Sequence, residues 1–164
     1  MAATEHSAAE NKALVQRWLS QGVSSPASRA MVTDDFTWTS PASLGLLHED
    51  GSGIIRGADA LIDIPHLDKA IYRGYEVDTN NSNVHFMIAE GDTVVMEFDA
   101  AFTTFEGEPY HNQYCLVFIC RDGKIAEVRE HVDSHYSWDV VLGTPEKRAG
   151  VLDRLRRLRA GESL

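Results

Sequence analysis

Residues 112–133 read NQYCLVFICRDGKIAEVREHVD, and this stretch decides the fold. Two runs of strand-forming residues flank Arg121-Asp122-Gly123, a turn sequence with a terminal glycine, so the stretch reads as a β-hairpin. In the second run Ala126, Val128 and Val132 share one side, while Glu127, Arg129, His131 and Asp133 share the other. Glu130 breaks this alternation by falling on the side of the valines. A carboxylate among apolar groups is costly unless it is paired or protonated. Desolvation also raises its pKa toward the range of a general acid or base. The competing reading is structural: a glutamate satisfied by a buried Arg, Tyr or Trp, with Trp38, Asn112 and Tyr114 as the nearby candidates. The residues alone leave these two readings equal.

Working outward, residues 77–89, 93–105, 109–121 and 124–133 alternate or run apolar. EGD, EGE and RDG separate them as hairpin turns. Upstream, residues 7–21 predict a helix with a stripe of Leu14, Val15, Trp18 and Leu19, ended by Gly22. A short helix follows over 26–31, then a strand, DDFTWTSP, closed by Pro41. Residues 42–57 read as a loop, with EDGSG at its tip; no lysine follows those glycines, so this is not a phosphate loop. Residues 58–72 predict a helix interrupted by Pro65. Thr144 and Pro145 open a final helix. Helices, then an antiparallel meander, then a helix make the chain α+β: a curved antiparallel sheet with helices over one face and a pocket between them. The whole chain, 1–164, is expected to be one domain, with a core over about 7–136 and a helical tail over about 144–160.

The formal net charge of -10 on 164 residues argues against nucleic acid or an anionic membrane as partner. The tail is locally basic. Arg154, Arg156, Arg157 and Arg159 are expected on a solvated face, pairing with acidic surface. Cys115 and Cys120 lie at odd spacing in one strand, so they point to opposite faces and do not pair. They read as reduced core residues, which fits a cytoplasmic protein. The first residues show no signal-peptide pattern, and no apolar run is long enough to span a bilayer. His131, Asp133 and His135 form an H-x-D-x-H pattern. Same-face neighbours lie about 6.5–7 Å apart along a strand, which makes three ligands to one ion awkward, and no metal is expected. No G-x-S-x-G is present. On residues 93–105, alternation sets Val95, Glu97, Asp99 and Ala101 against Val94, Met96, Phe98 and Phe102. The simple expectation is acids outside and phenylalanines inside.

The order of elements, with NQYCLVFICRDGKIAEVREHVD, resembles the SnoaL-like branch of the NTF2-like superfamily. That branch includes ketosteroid isomerases, polyketide cyclases, limonene epoxide hydrolase and the phenazine-biosynthesis A/B proteins. The likeness runs from the first helix to about Tyr136. It implies a catalytic acid on the strand after GKI, which is Glu130 here. Ungapped matching to the epoxide hydrolase turns Glu97 and Asp99 inward, against the alternation. The hydrolase has an arginine where this chain has Glu97, so its arginine-bridged acid pair is absent. Ketosteroid isomerase carries its base where this chain has Ser40. The resemblance also implies that Trp38, Ser40, Asn112, Tyr114, Leu116, Phe118 and Val132 contact substrate.

The resulting expectation is a cofactor-free acid-base enzyme, cyclase or isomerase, for a small apolar or polycyclic metabolite. Glu130 moves the proton, and Asp99 or Glu97 holds a water or a second proton. His131 should point away from the pocket. The resemblance further implies a homodimer through the open sheet face. The rival readings are a non-catalytic ligand-binding or dimerising module, marked by Glu130 paired to an arginine, and a hydrolase or dehydratase.

Overall fold

The computed structural model describes residues 6–48, 50–73 and 82–164. Along it run α1 (Ala8–Ser20), α2 (Pro26–Ala30), β1 (Val32–Thr39), β2 (Ile54–Arg56) and α3 (Asp63–Ile71). These are followed by β3 (Ser82–Glu90), β4 (Thr93–Thr103), β5 (Pro109–Arg121), β6 (Lys124–Val132), α4 (Ser134–Ser137) and α5 (Pro145–Arg159). No helix among the described residues is long and apolar enough to cross a membrane.

Strands β3 to β6 form the expected antiparallel meander within a sheet ordered β2-β1-β6-β5-β4-β3. The β5–β6 turn places Asp122 at φ 52° and Gly123 at φ 74°, the two positive values a two-residue hairpin loop requires. One expectation is corrected: the sheet is mixed, because β1 pairs parallel to β6. Nothing local specifies that pairing, since the partners are separated by most of the chain. Residues 42–57 are not all loop. They contain a 3-10 turn, Ala42–Leu47, and the short strand β2, whose Ile55 pairs with Trp38. Three residues are too few to show a periodic pattern. The helix expected over 58–72 begins as a 3-10 turn, Ala58–Ile62, and Pro65 falls in the first turn of α3. There its missing N–H has no helical partner to lose. The expected start of β3 at 77 lies outside the described residues.

The apolar stripe of α1, Leu14, Val15 and Trp18, packs on Phe36, Trp38, Phe118 and Val128 of the sheet. A second cluster joins Ile71, Tyr110, Leu142, Val151 and Leu155. Helix α5 is therefore part of the core, with Val151 and Leu155 each 1% exposed. Its arginines pair with acidic groups as expected, but Arg154 and Arg159 are largely buried rather than on a solvated face. Arg159 makes a two-point pair with Asp63 at 2.9 and 2.6 Å and also reaches the Leu47 carbonyl. Arg154 donates to the Ala70 carbonyl and stacks over Phe105, while Arg156 and Arg157 pair with Asp153 and Glu162.

Candidate active site

The two clusters meet at Leu67, but their side chains do not fill the space between them. They leave a cavity of about 350 Å³, walled by Trp38, Met96 and Leu116 from one core and by Ile71, Tyr72 and Tyr110 from the other. Glu130 lines it. Its strand neighbour Val128 is fully buried on the same face, so alternation carries the carboxylate inward. Glu130 is partly buried and borders the cavity.

Two donors hold this carboxyl. The indole N–H of Trp38 donates to Oε2 at 3.0 Å, and the Ser40 hydroxyl donates to the same atom at 3.3 Å. No arginine or lysine is involved, and Oε1 has no hydrogen-bond partner among the described residues. Burial pushes the Glu130 pKa above its ordinary value, and the two hydrogen bonds offset only part of that. Trp38 and Ser40 sit at the end of β1, and the parallel pairing with β6 sets Trp38 beside Val128.

Further along the wall, the hydroxyls of Tyr110 and Tyr114 are 2.9 Å apart, and Tyr72 hydrogen-bonds Tyr114. Burial raises the pKa of both Tyr72 and Tyr114 well above the usual phenol value, so both remain protonated. Tyr110 is anchored by Ser137 Oγ at 2.9 Å and Asn112 Nδ2 at 3.0 Å.

Of the residues expected at the site, Glu130, Trp38, Ser40, Tyr114, Leu116 and Val132 line the cavity. Four expectations are corrected. Asn112 is buried behind the wall, its amide committed to Tyr110, Ser137 and the Asp133 carbonyl. Phe118 is sealed in the core with its ring edge on Trp18, 6.1 Å between centroids. Glu97 and Asp99 point to the outer face of the sheet, where His85 bridges them at 3.1 and 2.9 Å. The simple alternation was right for β4, because Met96, Phe98 and Ala100 take the cavity side. A residue shift in the β3–β4 pairing at His85 brings its ring between the two acids.

His131 is exposed, as expected. The H-x-D-x-H pattern is broken by Asp133, which ends β6 and caps α4 by accepting from the His135 and Tyr136 amides. Among the described residues no group of three His, Cys, Asp or Glu could hold a metal. Both cysteines are free. Sequence reasoning missed Tyr72 and His48. Tyr72 was read as the end of a helix, and His48 sat in a loop without periodicity.

The chain belongs to the SnoaL-like domain family, which matches residues 12–128. No curated protein matches it in sequence. Its fold is NTF2-like. It is similar to an NTF2-like protein of unknown function from Burkholderia pseudomallei K96243, with a TM-score of 0.64 at 14% identity over 81% of this chain and 98% of that one. A proposed SnoaL-like polyketide cyclase from Jannaschia sp. CCS1 gives 0.64 at 16% identity, over 88% and 100%. A proposed isomerase from Bacillus subtilis gives 0.56 at 18%, over 83% and 95%. At such identities the likeness concerns the fold alone.

Proposed function

We propose that the protein is a cofactor-independent acid-base enzyme of cyclase or isomerase type, acting on a small uncharged apolar or polycyclic metabolite, with Glu130 moving the proton. The observation that carries this reading is the Glu130 carboxyl at a largely apolar cavity, which Asp68 also lines, held through Oε2 by Trp38 and Ser40, with Oε1 left for a ligand. An arginine partner, the mark of the non-catalytic reading, is absent from Glu130 among the described residues. None of the 15 lysines and arginines lines the cavity, so an anionic ligand would be buried without a counter-charge. The proposed activities of the Jannaschia and Bacillus proteins belong to the same chemical class.

In this reading Glu130 takes a proton from carbon beside a carbonyl, and the C–H electron pair moves onto the carbonyl oxygen as an enolate. The protonated phenols near the other core are the donors for that developing charge. Return of the proton to a different carbon isomerises the substrate. Attack of the enolate carbon on a second carbonyl of the same molecule closes a ring, and the proton then goes to the new alkoxide. The reading extends to a second copy on the outer sheet face, where Phe86 and Ile88 remain 42% and 59% exposed.

The test is hydrogen–deuterium exchange at the acidic carbon of 2-tetralone, followed by NMR. The wild-type protein should accelerate exchange, and Glu130→Gln should lose at least about a hundredfold of that acceleration. Exchange that persists in a folded Glu130→Gln protein overturns the role. A wild-type protein that binds the ketone without exchange is a carrier.

A further inference from the structure

The buried histidine of the loop after β1 is not used by the mechanism above. His48 is 6% exposed and borders the main cavity. It also borders a smaller one, of about 230 Å³, beside Asp50 and Asp63. Its Nδ1 is shut off from solvent and has no hydrogen-bond partner. Burial lowers the His48 pKa, outweighing the nearby Asp63, so the ring is neutral near pH 7.

A metal-free neutral imidazole normally has its tautomer set by whatever its other nitrogen bonds. Here nothing sets it. Nε2 is the accessible nitrogen, and it can therefore donate to a carbonyl or accept from a hydroxyl. The ring is nevertheless well placed. The Leu47 carbonyl accepts from Arg159 at 3.2 Å. Gly45 lies so close to the Gly51 carbonyl that a Cβ would stand 2.6 Å from it. The loop is held from both sides.

His48 and Glu130 occupy different parts of the cavity wall. Ile55, which shares the wall with His48, pairs with Trp38, and Trp38 pairs with Val128 in the next strand. Two strand spacings, on the order of 10 Å, separate Ile55, a wall neighbour of His48, from Val128, the strand neighbour of Glu130. Most of the remaining cavity lining is apolar.

We propose that His48 is the second polar contact of the cavity ligand, its Nε2 hydrogen-bonding a hydroxyl or carbonyl at the end remote from Glu130. The preferred ligand is then an uncharged molecule with an apolar body and a polar group at each end. This rests on the reading of the cavity as the substrate site.

The test compares binding of 2,6-dihydroxynaphthalene and 2-naphthol by fluorescence titration. Wild type should prefer the diol at least tenfold. His48→Phe should bring the ratio close to one, and His48→Gln, whose amide reaches the place of Nε2, should restore it. Glu130→Gln should keep the preference. Should His48→Phe fail to fold, as judged by circular dichroism, His48→Asn replaces it, with the same loss expected because its amide stops short. An unchanged ratio in the folded variant overturns the role of His48 and leaves that of Glu130 standing. Failure of wild type to bind either probe overturns both.

Discussion

Glu130 is held by two neutral donors rather than by a cation, and this decides how it responds to pH. Ionising it in the fold requires desolvating a charge that Trp38 and Ser40 only partly compensate, so burial raises its pKa. In the unfolded chain it titrates near an ordinary glutamate, about 4.3. Below that value both states are protonated, and Glu130 does not oppose folding. As pH rises toward and through the raised folded pKa, stability is lost. Glu130→Gln should therefore match wild type near pH 4 and exceed it near pH 8 in chemical denaturation. If Glu130 begins the reaction as a base, exchange activity should fall as pH drops through the same raised pKa. His85 has the opposite chemistry. Its hydrogen bonds to Glu97, then to Asp99, raise its pKa on the outer face. The support it lends is present below the ordinary histidine range and lost as pH rises through the raised value. NMR titration should find His85 above that range, and Glu97→Gln with Asp99→Asn should return it there.

At the scale of elements, the site depends on how β1 and β6 end. Asp133 stops β6 by capping α4 and presents its carbonyl to Asn112, which in turn anchors Tyr110. Asp133→Ala should cost about 1 kcal/mol, the usual loss for an N-cap, measured by thermal denaturation. It should weaken ligand binding as well, since Ser137 rides on the capped turn and bonds Tyr110. The hairpins were readable because each joins neighbouring strands through a turn with its own signature. The end of β1 was not. Trp38 and Ser40 become partners of Glu130 only through a parallel pairing across 90 or more residues of chain. The inward turn assigned to Glu97 and Asp99 failed for a related reason. It came from matching a distant relative, whereas the alternation within β4 already carried the answer.

At the scale of the molecule, the cavity exists because two cores meet without filling the space between them. The second core needs α5, so the basic tail is structural. Its Arg159 ties α5 both to Asp63 of α3 and to the loop before His48. Arg159→Met should destabilise the fold and weaken binding at the His48 end, seen as a reduced diol preference. Outside, Phe86 and Ile88 lie exposed on β3. If a second copy covers them, Ile88→Glu should convert a dimer to a monomer in sedimentation velocity while leaving circular dichroism unchanged.

By itself the sequence determined the strands and hairpins of the meander, the first and last helices, and the inward direction of Glu130. Those rest on periodicity and turn chemistry, which neighbouring residues carry among themselves. Tertiary structure alone decided what surrounds that carboxyl: the indole and hydroxyl from the end of β1, the phenols from the end of α3 and from β5, and His48 from an irregular loop. Each comes from a distant part of the chain, and only packing brings them to one cavity.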